Sequence, residues 1–218
     1  GGRGVLLSGS TGIEPATVTI IGGGIVGSNA CRLAAGLGAK VNILDVNMQK
    51  LQYLSDVMPP NVTTLFSDNH NIERLIPETD LLIGAVLVVG AKAPNLVTKD
   101  MLKLMKKGSV IIDVAVDQGG CVETCKPTTH SNPTYFVDDV LHYCVANMPG
   151  AVPYTSTMAL SNSTIPYIRA IAGHGYEKAI KQHKPLSYGL NIYKGKVTHP
   201  GVANSFNLDY TPVSQLFN

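Results

Sequence analysis

The chain has 218 residues, 44% of them hydrophobic and 15% charged, with no Trp and a formal net charge of +2. That length allows one good core and part of a second, while scattered Lys and Arg with no basic run argue against a nucleic-acid partner. No apolar run approaches membrane-spanning length and no leader pattern precedes the first strand, so no membrane partner is expected and the chain reads as soluble and cytoplasmic. It opens Gly1-Gly2-Arg3-Gly4 without a Met. Either a tag remnant or a piece of a longer protein is the expectation.

Thr17 to Ile21 is a β-branched apolar run that enters Gly22-x-Gly24-x-x-Gly27. Apolar residues at Val26, Ala30, Ala34 and Leu37 then continue at helical spacing. Strand, tight turn and helix in that order carry a dinucleotide fingerprint. Gly22 allows the turn, Gly24 lets a pyrophosphate approach, and Gly27 lets the helix lie on the strand. The helix N-terminus offers its N–H groups to the phosphates. Lys40 to Asp45 reads as the next strand and ends in a carboxylate 18 residues after Gly27, where an acid meets the adenosine ribose. That carboxylate favours NAD over NADP, since opposing a phosphate at about 4 Å costs on the order of 4 kcal/mol at an effective dielectric of 20. Lys50 offsets part of that charge.

Further along, Met48 to Met58 is helical in pattern and Pro59-Pro60 stops it. Asn61 to Phe66 is a third strand, Asn71 to Ile76 a short helix, and Leu81 to Val86 a strand buried on both faces. A Gly/Pro-rich loop follows at Val89 to Asn95. Thr98 caps a helix that ends before Gly108, with Lys106 and Lys107 in its last turn. Val110 to Asp113 is the fifth strand and Val140 to Val145 the sixth. This alternation predicts an α/β fold, a doubly wound parallel sheet with ligands beyond the carboxyl ends of its strands. From Pro153 the character changes: a helical pattern over Thr155 to Ala172 interrupted by Pro166, a second helix over Tyr176 to His183, a turn at Tyr193 to Lys196, a last short helix opened by Thr198-His199-Pro200, and an irregular tail. That stretch is too short to bury an independent core.

Two loops at the ligand end carry candidate chemistry. In Asp113-Val114-Ala115-Val116-Asp117-Gln118-Gly119-Gly120-Cys121, Asp117 sits beyond the strand, where a carboxylate orients an amino group or stabilises a cationic imine. Asp113 either caps the loop or faces the ligand. In the stretch from His142 to Pro153, Asn147 is placed to hydrogen-bond a carboxamide or the substrate and Met148 to pack on a nicotinamide ring. His130 and His142 are assigned no role. Cys31 and Cys144 read as core thiols, and Cys121-x-x-x-Cys125 with His130 fits zinc spacing poorly, so no metal is expected and all four cysteines read as reduced.

Gly22-x-Gly24-x-x-Gly27, Asp45, Ile83 to Leu87 leading to Gly90-Ala91-Lys92-Ala93-Pro94, Asp117-Gln118-Gly119-Gly120-Cys121, Pro127-Thr128-Thr129-His130 and His142 to Pro153 together resemble alanine dehydrogenases over almost the whole chain. The resemblance implies reversible oxidative deamination of L-alanine to pyruvate and ammonia, with hydride passing to NAD. It places Asp117 as the catalytic acid residue and Gly22, Gly24, Ile25, Val26, Gly27, Asp45, Lys50, Ser67, Val86, Leu87, Val114, Asp117, Val145, Asn147 and Met148 at the cofactor. Val88, Val89 and Lys126 depart from the pattern without carrying chemistry.

The family's substrate domain, with its Arg, Lys and His, has no counterpart here. The expectation is therefore a C-terminal part: residues 1–153 a Rossmann NAD-binding domain, and 154–218 a segment returning to complete an incomplete substrate domain, inactive alone. The family also implies a homo-oligomer, a hexamer. Two other readings stand beside this one: the NAD-binding subunit of a transhydrogenase-like complex, and a non-enzymatic assembly unit.

Overall fold

The computed structural model describes residues 2–87 and 94–217, so most of the Gly/Pro-rich loop expected at Val89 to Asn95 lies outside the described residues. The described residues gather into two compact units, 2–87 with 94–148, and 149–217.

The first unit is a seven-stranded sheet with helices between its strands. In chain order it comprises β1 (Thr17–Ile21), α1 (Ile25–Gly36), β2 (Lys40–Asp45), α2 (Met48–Val57), β3 (Val62–Phe66), α3 (Asn69–Leu75), β4 (Leu81–Gly84), α4 (Lys99–Leu102), β5 (Val110–Asp113), β6 (Thr134–Val137) and β7 (Val140–Tyr143). The strand order is β3-β2-β1-β4-β5-β7-β6. Every neighbouring pair is parallel except β6 with β7. The order reverses between β1 and β4, the crevice where open parallel sheets take their ligands.

Strand composition follows from burial on both faces. Val18, Ile20, Val41, Ile43 and Ile83 pack with Cys31, Ala34 and Leu54 on one side. Ile21, Leu44, Leu82 and Ile111 pack with Ile72, Leu75 and Leu102 on the other. Successive residues of one strand serve opposite cores, and the polar residues Thr17, Thr19 and Asn42 of β1 and β2 are buried with them. Each fully buried Ile or Leu contributes roughly 1.5–3 kcal/mol relative to exposure.

Several expectations need correction. The predicted sixth strand is half of a hairpin: β6 pairs antiparallel with β7, Thr134 opposite Tyr143 and Val137 opposite Val140. The helix capped by Thr98 runs only from Lys99 to Leu102. Lys106 and Lys107 lie beyond it and answer charges rather than a helix dipole. The Lys106 ammonium lies 3.2 Å from Asp80, a buried carboxylate that also holds Arg3 at 3.1 Å, and Lys107 meets Asp139 at 2.9 Å. The β4 strand ends at Gly84, two residues before the predicted end.

The second unit contains α5 (Pro153–His174), α6 (Tyr176–Gln182), α7 (Lys184–Gly189), a hairpin of β8 (Ile192–Tyr193) and β9 (Lys196–Val197), and α8 (Pro200–Phe206). Pro166 does not interrupt α5, which runs 22 residues through it. The ring removes one backbone donor and kinks the helix at most. No residue of α5 is buried. Among its described residues the buried side chains are few: Ala179, Ile180, Thr198 and Ala203.

Candidate functional site

Every residue singled out at the ligand end lies at or beyond the carboxyl terminus of a parallel strand of the first unit. Gly22 to Gly27 follow β1, Asp45 ends β2 with Lys50 on the next helix, and Ser67 follows β3. Val86 and Leu87 follow β4, Val114 and Asp117 follow β5, and Val145, Asn147 and Met148 follow β7. Topology alone therefore brings six loops to one edge.

The glycine turn has the steric signature its spacing suggests. Gly22 sits at φ +108°, and a Cβ there would meet the Ala85 carbonyl oxygen at 2.5 Å. A Cβ on Gly27 would collide with the Gly22 carbonyl oxygen, so this glycine sets how closely α1 approaches β1. Around Gly24 there is open space, with nothing within 4 Å of a Cβ. Gly24 is also the N-cap of α1, a 12-residue helix that no side chain caps. Its first N–H groups thus lack intrahelical partners at an open surface, an arrangement suited to a diphosphate.

Asp45 closes onto this turn. Its Oδ2 accepts the Gly23 N–H at 2.8 Å and its Oδ1 accepts the Asn47 N–H at 2.8 Å. The carboxylate is buried, and the Lys50 ammonium stands 3.5 Å away. A carboxylate offers about four acceptor directions, so two remain for hydroxyl groups. Ser67 is held beside it, its N–H donating to the Asp45 carbonyl at 3.0 Å. Sequence reading missed two contributors here. Gly23 supplies the N–H that fixes the acid, and Asn47 both bonds the acid and caps α2 by accepting from the Gln49 and Lys50 N–H groups. An Asn three residues before a helical Lys was the available signal for that cap.

The two aspartates after β5 divide the roles left open by the sequence. Asp113 is fully buried and organises the loop, accepting N–H groups from Ala115 at 3.0 Å, Cys121 at 2.8 Å and Val122 at 3.2 Å. Burial pushes its carboxyl above the usual carboxylate range, against the opposing pull of those three N–H donors. A Cβ on Gly120, at φ +63°, would meet its Oδ2 at 2.5 Å. Asp117 is exposed, and its Oδ2 lies 3.4 Å from the Asn147 N–H. Asn147 adopts φ +55°, and its carbonyl accepts from His130 Nε2 at 3.1 Å. His130, given no role from sequence, thus holds the backbone of a site loop. His142 is structural: buried, stacked on Tyr135, with Nδ1 bonded to the Val140 carbonyl at 3.0 Å and Nε2 to the Thr124 hydroxyl at 2.8 Å.

The apolar site residues are unequally placed. Val145 is buried, Val86 and Val114 are half-buried against the two cores, Met148 is half-buried and Leu87 is exposed. Ile25 and Val26, in the first turn of α1, are exposed beside the open space at Gly24. The edge therefore combines an anion-accepting helix end, an acid suited to hydroxyl groups, an exposed carboxylate and apolar side chains, which together suit a dinucleotide and a small polar reactant.

Residues 1–200 match the family model for the alanine dehydrogenase/PNT C-terminal domain. The chain belongs to that family. It is 53% identical to an alanine dehydrogenase of Halomonas elongata and 56% identical to alanine dehydrogenase 2 of Staphylococcus aureus, each over 99% of this chain and 58% of the relative. The chain thus spans little more than half the length of these curated relatives. A solved L-alanine dehydrogenase superposes with a TM-score of 0.86 at 51% identity, covering 95% of this chain and 57% of that one. A transhydrogenase of Sinorhizobium meliloti superposes at 0.70 with 23% identity, covering 90% of this chain and 53% of that one. That second likeness speaks to the fold alone.

Proposed function

We propose that this chain is the cofactor-binding part of an NAD-dependent alanine dehydrogenase. The observation that carries the reading is the Asp45 carboxylate bonded to the glycine turn at the mouth of an uncapped helix. A dinucleotide fits the residues present. The α1 N–H groups would take its diphosphate, the free acceptor directions of Asp45 its adenosine ribose, and Ser67 and Lys50 would flank the adenosine. The buried acid disfavours a ribose phosphate, which is why NAD rather than NADP is proposed. When bound, NAD would supply the acceptor for hydride from the Cα of L-alanine, and water would hydrolyse the resulting iminium to pyruvate and ammonia.

The remaining work falls to this chain's side chains. Val86, Leu87, Val145 and Met148 would exclude water from the nicotinamide end, and the Asn147 side chain would offer an amide there. Asp117, exposed and negatively charged, would orient the amino group and hold a cationic substrate carbon–nitrogen centre by electrostatics. The groups that grip the substrate carboxylate are proposed to lie in the part of the relatives that this chain does not span, so the 218-residue chain should bind NADH without oxidising alanine. In the same reading residues 1–153 form the NAD-binding domain and 154–218 contribute to a substrate domain, and the protein is a cytoplasmic homo-oligomer, a hexamer. Exposed Leu33 and Leu37 at the end of α1 and exposed Tyr53 and Val57 on α2 support such assembly.

Fluorescence titration with NADH and with NADPH, alongside an alanine-dependent NADH-forming assay, tests the proposal. Saturable NADH binding, weaker NADPH binding and no turnover by the chain itself are expected. Failure to bind NADH refutes it. Sedimentation with and without NADH tests the assembly.

A further inference from the structure

All four cysteines are free thiols, and two of them meet. Cys125 is half-buried in the stretch after the β5 loop, and Cys144 is buried directly after β7. Their sulfurs lie 3.2 Å apart, about 1 Å beyond the length of a disulfide bond. The two segments are already joined by backbone: the Thr128 N–H donates to the Cys144 carbonyl and the Ala146 N–H to the Thr128 carbonyl, both at 2.9 Å. Tyr135 braces the pair, accepting the Lys126 N–H at 2.8 Å, donating to the Thr124 carbonyl at 3.0 Å and standing 3.7 Å from the Cys144 sulfur.

We propose that Cys125 and Cys144 are a reversible oxidation site, closing to a disulfide when the chain meets a peroxide. The site is distinct from the cofactor reading and needs nothing from it. The coupled pair sets the chemistry: hydrogen bonding to Cys125 and Tyr135 draws the Cys144 thiol below the usual range, while the neighbouring Cys144 pushes the Cys125 thiol up. Of the two, Cys144 therefore ionises more readily, and it reacts as the thiolate. Its sulfur attacks a peroxide oxygen reaching the pair from the Cys125 side. An S–O bond forms, the O–O bond breaks, and hydroxide leaves, taking up a proton to become water. The second sulfur then attacks the resulting sulfenic sulfur; the S–S bond forms and the S–O bond breaks, releasing a second water. In sum two thiols and one hydrogen peroxide give one disulfide and two waters. The other two thiols stay out of this, since burial pushes Cys31 to about 11 and Cys121 to about 12. The link would pin the segment leading to Thr128 against the end of β7, three residues ahead of Asn147.

The test treats the folded chain with hydrogen peroxide, alkylates it in denaturant and maps its peptides by mass. The expected product has lost two hydrogens and carries a peptide pair joined through Cys125 and Cys144, with Cys31 and Cys121 alkylated. Dithiothreitol reverses it, and Cys125→Ser abolishes the link with circular dichroism unchanged. The proposal is overturned if both thiols are recovered alkylated, if either is oxidised without the link, or if the urea-unfolded chain gives the same link in equal yield.

Discussion

Replacing Asp45 by Asn probes the cofactor edge with the least change of shape. Both carboxylate oxygens are engaged, Oδ2 by the Gly23 N–H and Oδ1 by the Asn47 N–H, each at 2.8 Å. The amide retains one acceptor and turns an NH2 group toward the other donor. One bond to a charged acceptor is lost, about 1.5–3 kcal/mol, and a buried N–H loses its partner. The Lys50 pair adds less than about 1 kcal/mol, because that lysine is half-exposed and screened. Stability should therefore fall by roughly 2–3 kcal/mol, read from urea denaturation. Binding should respond separately. Turning a charged acceptor for a ribose hydroxyl into a neutral one removes about 1–1.5 kcal/mol, or roughly tenfold in the NADH Kd. Discrimination against NADPH should shrink, since the repulsive charge is gone. Fluorescence titration of the folded variant measures both. An unchanged NADH Kd together with unchanged preference over NADPH would refute the reasoning.

Other substitutions reach different parts of the site. Gly27→Ala drives a methyl into the Gly22 carbonyl, both partners being backbone, so it should cost about 1–3 kcal/mol and weaken NADH binding; wild-type affinity and stability would contradict the close approach of α1 to β1. Asp113→Ala strands the Cys121 and Val122 N–H groups in a buried loop and should lower stability by about 3 kcal/mol or more in urea denaturation. His142 gives a pH dependence. Burial depresses its folded pKa below the ordinary 6.5, so as pH falls through that value the unfolded chain binds more protons than the folded one. Its stabilising effect is complete above 6.5 and is lost as pH falls. His142→Gln should flatten that acid-side decline in the urea midpoint, and an unaltered slope would count against it.

How much of this was legible in the sequence depended on whether the determinant was local. The parallel strands show as apolar runs because both faces are buried, and the glycine turn shows because sterics permit few alternatives at Gly22 and Gly27. The β6–β7 hairpin escaped because its turn is made by Asp138 and Asp139, both at positive φ (48° and 63°), rather than by the Asn-Gly or Asp-Gly signal such turns favour. The helix after Thr98 was overextended because Lys106 is diverted to Asp80, a partner 26 residues away that no local pattern announces. At the site, spacing was enough to single out Asp45, whereas the left-handed Asn147 held between Asp117 and His130, and the meeting of Cys125 with Cys144, arise only when separate loops converge. Pro166 misled for the opposite reason: a local rule against proline in helices yields when the rest of a long helix forms around it.

The account rests on where a diphosphate sits. Crystals of the chain grown with NADH should show it against the N–H groups of the first turn of α1, with the adenosine ribose bonded to Asp45. A bound dinucleotide whose diphosphate lies away from Gly24, or whose ribose leaves Asp45 untouched, would contradict it.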